Sequence, residues 1–261
     1  MRNYFLNILI ICFFAWGCAS KIDFKVPGSR FLSPETKGAT LKTEFSINRE
    51  NAHKVTTVEV VADNVFSTTS AGDMAGLSKS WTLGFSAHIG ILEDIDFIYY
   101  TPTDSPSFVG LKYQLIGDSE EKRTEGIKAS VAASYSYMND AESTMSVTNP
   151  SDLTETQTYS GNVKISGFDL SAAIGLRKSK AVLFYLNGYY TKLNTQSDLI
   201  STAHGNLTVK GDVETYGSMV GIKLGTTNFF IQAETGFTFL NWEGGSNQVT
   251  HPVSVNIGLS I

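Results

Sequence analysis

Four histidines are the first residues to test for chemistry: His53, His88, His204 and His251. A transition-metal site needs imidazoles, thiolates or carboxylates gathered at short, regular spacings, and these four stand apart. His88 lies two residues from Ser86, and a serine hydroxyl activated by an imidazole is the pairing used for acyl transfer. Two residues apart on one strand, the side chains share a face but meet only loosely, so a pair of satisfied polar groups is favoured over a nucleophile and its base. No Gly-x-Ser-x-Gly, His-Glu-x-x-His or phosphate-binding loop occurs. No catalytic residue, metal ligand or cofactor is therefore expected.

A second set of candidates is ionisable: Lys42, Glu44, Asp96, Lys112, Lys128, Asp169, Lys223 and Glu234. Each falls on the polar side of a segment whose other side is apolar. If the apolar sides face outward, these eight line an interior lumen. Four are bases and four are acids. Confined charges of opposite sign pair, because an unpaired one is costly to bury. The set therefore predicts a lumen filled by ion pairs, with a narrow charged pore as the alternative. An unbalanced ring would have favoured ion selectivity.

The elements that must position these residues are strands. Trp81, Leu83, Phe85, Ala87, Ile89 and Ile91 alternate with Thr82, Gly84, Ser86, His88 and Gly90. Successive strand residues point to opposite faces, so this pattern makes one face apolar and the other small and polar. The alternation recurs at Ile127–Tyr137, at Phe168–Leu176 and in the final Val253, Val255, Ile257, Leu259 and Ile261. Strands are predicted at about 39–48, 80–91, 94–101, 107–116, 126–138, 165–177, 181–192, 213–225, 228–240 and 250–261. Most exceed the usual length in soluble proteins and match the roughly 9–11 residues that cross a bilayer at a tilt. Tight turns at 93–94, 177–180 and 225–228 alternate with long polar loops at 63–79, 139–164, 193–212 and 241–249. Trp81, Tyr137, Tyr190, Tyr216 and Phe239 cluster at the loop-side ends of their strands, as an aromatic girdle would. A further run at 55–62 belongs to a loop or raises the count to twelve, with a partner near 23–32.

Composition agrees. Of 261 residues, 17% are charged, below the roughly 25% of soluble proteins, and no stretch is apolar enough for a membrane-spanning helix. The net charge of −5 and the lack of a basic stripe exclude a nucleic-acid partner. Both cysteines, Cys12 and Cys18, lie near the start. Arg2 followed by the apolar stretch from Tyr4 to Ala15 reads as an export signal over residues 1–17. Residues 18–37, with Pro27 and Pro34, read as a tether, and 38–261 as the barrel.

Two resemblances follow from these residues. Ala15-Trp16-Gly17-Cys18 resembles the lipobox of bacterial lipoproteins, which implies acylation of Cys18. Gly17 and Cys18 match the pattern, and Ala15 stands where Leu is usual. The segment from Gly38 to Ile261 resembles the outer-membrane β-barrel proteins of Gram-negative bacteria. That resemblance implies an all-β, antiparallel up-and-down transmembrane barrel of about ten strands, with outer-membrane lipid and the barrel-assembly machinery as partners. The final strand keeps the alternation read by that machinery but ends in Ile261, not an aromatic residue. The implied role is structural, surface or small-pore transport. Ten strands put both ends of the barrel on the turn side, in keeping with a lipid anchor in the inner leaflet. Two alternatives stay open: an exported soluble lipocalin-like barrel with its apolar face inward and a small apolar ligand, and an outer-membrane enzyme without a recognisable motif.

Overall fold

The computed structural model describes residues 19–22, 24–38, 41–55, 58–64, 67–74, 77–149, 152–201, 205–226, 228–242 and 247–261. The signal region and Cys18 lie outside them. Ten strands form the barrel: β1 (Thr43–Val55), β2 (Leu77–Leu92), β3 (Ile95–Pro102), β4 (Ser107–Ile116), β5 (Gly126–Asn149), β6 (Asp152–Ser179), β7 (Val182–Ser201), β8 (Gly205–Gly225), β9 (Phe229–Trp242) and β10 (Val253–Ser260). Each pairs antiparallel with its sequence neighbour, and β10 returns to pair with β1, matching Val255 to Arg49 and Leu259 to Phe45. Closure leaves the barrel wall without a free edge.

The faces are inverted relative to a soluble barrel. Ile47 is 67% exposed, Leu83 58% and Val220 62%, whereas Glu50, Asp96 and Lys112 are fully buried. The stripe at Trp81, Leu83, Phe85 and Ile91 is exposed, while Ala87 is buried beside its cross-strand partners Phe45 and Tyr99. An apolar exterior of this extent is stable against lipid and not against water. The lipocalin-like alternative, which needs the apolar face inside, is thereby corrected. On β6 the outward apolar run from Phe168 to Leu176 covers nine residues. At ~3.3 Å per residue and the usual tilt it is about 20 Å tall, near the roughly 25 Å band of such barrels.

Aromatic residues close the loop-side edge of that band. Tyr190, Tyr216 and Phe239 lie in cross-strand register. Tyr216 stacks on Phe239 at 5.0 Å, Phe168 meets Tyr190 at 6.0 Å and Tyr135 stacks on Tyr137 at 6.4 Å. Beyond them the outward positions turn polar, with Lys192 paired to Asp212 and Glu214 and Lys164 paired to Asp198.

Two expectations need correction. Among the described residues, the stretches 63–79, 139–164, 193–212 and 241–249 are strand, not loop: β5 and β6 run 24 and 28 residues, about twice what a bilayer requires. Beyond the lipid band neither face must be apolar, so Thr-, Ser- and Asn-rich sequence extends the strands without alternation. The run at 55–62 is partly the end of β1 and partly a strand at Val58–Asn64 that pairs with Ser67–Met74 and with Ala19–Ile22. These strands lie outside the ten-strand ring.

Candidate functional site

The lumen is the only region where the described residues concentrate buried charge, and a segment of the chain runs through it. Residues 26–38, expected as part of a tether, are buried from end to end. The segment begins on the loop side. Phe24–Val26 pairs with the top of β1, the Lys25 amide donates to the Asp104 carbonyl, and Lys25 Nζ reaches the Asp104 carboxylate at 3.1 Å. It ends on the turn side, where Gly38 has a left-handed backbone (φ 90°). The missing side chain of Gly90 makes room there for the Gly38 carbonyl. The chain then turns back into β1. The start of β1 on the turn side stands, but residues 19–22 and 24–26 lie on the loop side, against an anchor placed on the turn side.

Wall side chains satisfy the backbone of this plug, as an extended buried chain requires. Glu50 accepts from the Ser29 amide at 2.7 Å, Gln114 from the Thr36 amide at 2.7 Å, and Asp96 from the Lys37 amide at 2.9 Å. Lys112 Nζ donates to the Glu35 carbonyl at 2.6 Å, and the Tyr189 hydroxyl to the Gly28 carbonyl at 3.1 Å. Leu32 packs on Ala132 and Ala173 with Ile98 alongside.

Three plug side chains are charged, and each meets an opposite charge on the wall. Arg30 Nε donates to Asp169 at 2.7 Å and Nη2 to Thr191 at 2.6 Å. Glu35 takes a two-pronged bond from the Arg177 guanidinium, one arm at 2.5 Å. Lys37 bridges Glu44 and Glu120, and Lys223 bridges the same two carboxylates at 2.8 and 3.0 Å. Lys112 also pairs with Asp96 at 3.0 Å, both fully buried.

The sequence-derived lumen set distributes as follows. Glu44, Asp96, Lys112, Asp169, Lys223 and Glu234 face the plug. Lys128 is buried on the turn side, donating to the Asp118 carbonyl at 3.0 Å and to Thr124 at 2.8 Å. Lys42 departs from the reading: it is only half-buried and pairs with Glu121 at the turn-side rim. Unforeseen members are Glu50, Gln114, Glu120, Arg123, Arg177 and Thr191, besides the three plug charges. Arg123 ties the turns together by donating to the carbonyls of Lys180, Gly225 and Thr226.

Ser86 and His88 form no catalytic couple. The Ser86 hydroxyl is bonded to Ser46 at 2.5 Å, and His88 Nδ1 has no hydrogen-bond partner. No cluster of metal-ligating residues occurs among the described residues.

No protein-family model matches the chain, and no curated protein does. Solved structures similar to it are Gram-negative outer-membrane β-barrels. Neisserial surface protein A is 11% identical over 84% of this chain and 96% of that one, with a TM-score of 0.35. The outer membrane protease OmpT of Escherichia coli is 8% identical over 94% and 95%, at 0.35. The TodX monoaromatic hydrocarbon channel is 6% identical over 95% and 97%, at 0.33.

Proposed function

We propose that this protein is an outer-membrane β-barrel with a structural or surface role, its lumen closed by its own N-terminal segment. The observation that carries this reading is the plug: residues 26–38 fill the interior and are ion-paired to it through Arg30, Glu35 and Lys37. Barrel diameter grows with strand number and about eight strands already give an interior that side chains alone fill, so ten leave room for little more than one extended chain, and one buried segment suffices to close it. The reading includes no catalytic step. Assembly into the membrane by the barrel-assembly machinery belongs to it, as does acylation of Cys18. Because residues 19–22 lie on the loop side, the acyl chain would be attached on that side of the membrane.

A small-pore transport role is the second reading, favoured by one feature. On the adjoining strands β1 and β10, Asn48, Ser254 and Asn256 carry buried polar atoms with no protein partner, and Asn48 and Asn256 are cross-strand neighbours. A strip of this kind suits water.

Three measurements test the proposal. Fractionation of the native host should find the protein in outer membranes, with a heat-modifiable shift on gels, and recovery as a free periplasmic protein would refute the location. Labelled palmitate should enter the wild type and not Cys18→Ser, and equal labelling removes the lipid. In planar bilayers the full-length wild type should show no steady conductance at low voltage. A stable open channel would replace the closed barrel with the pore.

A further inference from the structure

The loop-side part of the lumen is built differently from the turn-side part. Around plug residues 29–31 the wall presents three carboxylates: Glu50, Asp169 and Glu234. Only Asp169 bonds a cation, and that cation is Arg30 of the plug. Glu50 is met by the Ser29 amide and the Tyr100 hydroxyl. Glu234 is met by the Ser29 hydroxyl, the Phe31 amide at 3.3 Å, the Tyr185 hydroxyl at 2.7 Å and Asn187 at 3.0 Å.

The Arg30 guanidinium lies over two aromatic rings, Tyr189 at 4.2 Å and Phe108 at 4.7 Å. Stacking on rings together with in-plane bonds to Asp169 and Thr191 is recognition specific to a planar guanidinium, which an ammonium group does not reproduce. Two further polar groups of this region are unpartnered and at least nine-tenths buried: Asn187, through Oδ1, and His88, through Nδ1. His88 lines a cavity of about 20 Å³ beside Arg30, Asp169, Tyr100 and Phe108, room for a water-sized group.

We propose that the loop-side lumen is a binding site for guanidinium-bearing ligands, held here by Arg30, so that the N-terminal segment is a built-in competitor for it. The inference rests on the closed-lumen reading and adds a ligand class to it. Withdrawal of the plug leaves Asp169 without a cation, held only by the Thr191 hydroxyl at 2.6 Å, next to the rings of Tyr189 and Phe108 that flanked the guanidinium, with two more carboxylates adjacent. An arginine-bearing peptide or small guanidine entering from the loop side meets that chemistry first.

The test uses full-length Arg30→Ala folded in lipid vesicles, with methylguanidinium as the probe and the temperature of the heat-modifiable gel shift as the readout. The variant should unfold at a lower temperature than wild type. Millimolar methylguanidinium should return it toward wild type, sodium chloride at equal ionic strength should not, and the wild type should not respond. Adding Asp169→Asn should abolish the rescue. An undiminished midpoint in Arg30→Ala, or rescue by sodium chloride as large as by methylguanidinium, or none by either, overturns the site.

Should Arg30→Ala fail to fold, Asp169→Asn in the wild-type background decides. It should loosen the plug, so that a cysteine at position 32 reacts at least tenfold faster with an impermeant maleimide, and added methylguanidinium should not accelerate it further. Unchanged protection overturns the proposal. A silent wild type in planar bilayers with no rescue sinks the ligand site alone, whereas an open wild-type channel sinks the closed lumen.

Discussion

The two halves of the lumen solve the same problem by different means. On the turn side, charges are cross-braced: Lys223 holds Glu44 and Glu120 even without Lys37, and Lys112 holds Asp96 within the wall. On the loop side, one plug cation answers Asp169, and neutral donors answer Glu50 and Glu234. A near-equal tally of acids and bases therefore conceals a polar arrangement. The turn side anchors the segment redundantly, and the loop side depends on Arg30.

The largest effect should come from breaking the loop-side half. Arg30→Ala strips a buried carboxylate of its partner, a change that costs about 3–5 kcal/mol. Lys37→Ala should cost less, about 1–3 kcal/mol, because Lys223 stays between the two carboxylates. Urea unfolding in vesicles measures both, and equal losses would erase the distinction.

Next in size is the outer face. Phe85→Lys places a charge against lipid at about 2–4 kcal/mol, whereas Ser86→Asn exchanges one polar lumen group for another and should cost less. The same urea series ranks them. A cysteine at 85 should also react with a bilayer-confined reagent and a cysteine at 86 should not.

The smallest effect is titration of Glu120, in the 117–125 connection. Burial alone would raise its carboxyl, but the ammonium groups of Lys223 and Lys37 override this and hold it well below the usual carboxylate range. The folded state thus binds its proton more weakly than the unfolded chain. The stabilisation is complete above the ordinary value of about 4.3 and is lost as pH falls through the depressed one. Wild type should lose stability in acid more steeply than Glu120→Gln; parallel profiles would detach this carboxylate from the anchor.

The barrel was legible in the sequence because lipid imposes a rule on every second residue. Phe168, Leu170, Ala172, Ile174 and Leu176 reveal β6, and Asp169 between them is marked as inward. Beyond the bilayer the rule lapses, so the upper halves of β5 to β8 read as loops. Glu50 was missed because β1 continues past 48 without an apolar partner pattern, and Arg177 because it sits where a strand was expected to end. The plug left no periodic trace. An extended chain enclosed on all sides by a mixed, mostly polar wall needs no periodic apolar face of its own, with only Phe31 and Leu32 meeting rings or apolar side chains, and Pro27, Gly28, Pro34 and Gly38 give it the composition of a linker. Arg30, Glu35 and Lys37 gain their meaning only once Asp169, Arg177, Glu44 and Glu120 are known to stand opposite.

The central claim is that residues 26–38 occupy the lumen, and position 32 tests it most directly. Leu32 is buried against Ala132 and Ala173. In outer-membrane preparations of Leu32→Cys, with Cys12→Ser and Cys18→Ser to remove background, a membrane-impermeant maleimide should label the folded protein at a small fraction of its rate on the heat-unfolded chain. Labelling of the folded barrel as fast as of the unfolded chain would mean that the segment lies outside the lumen.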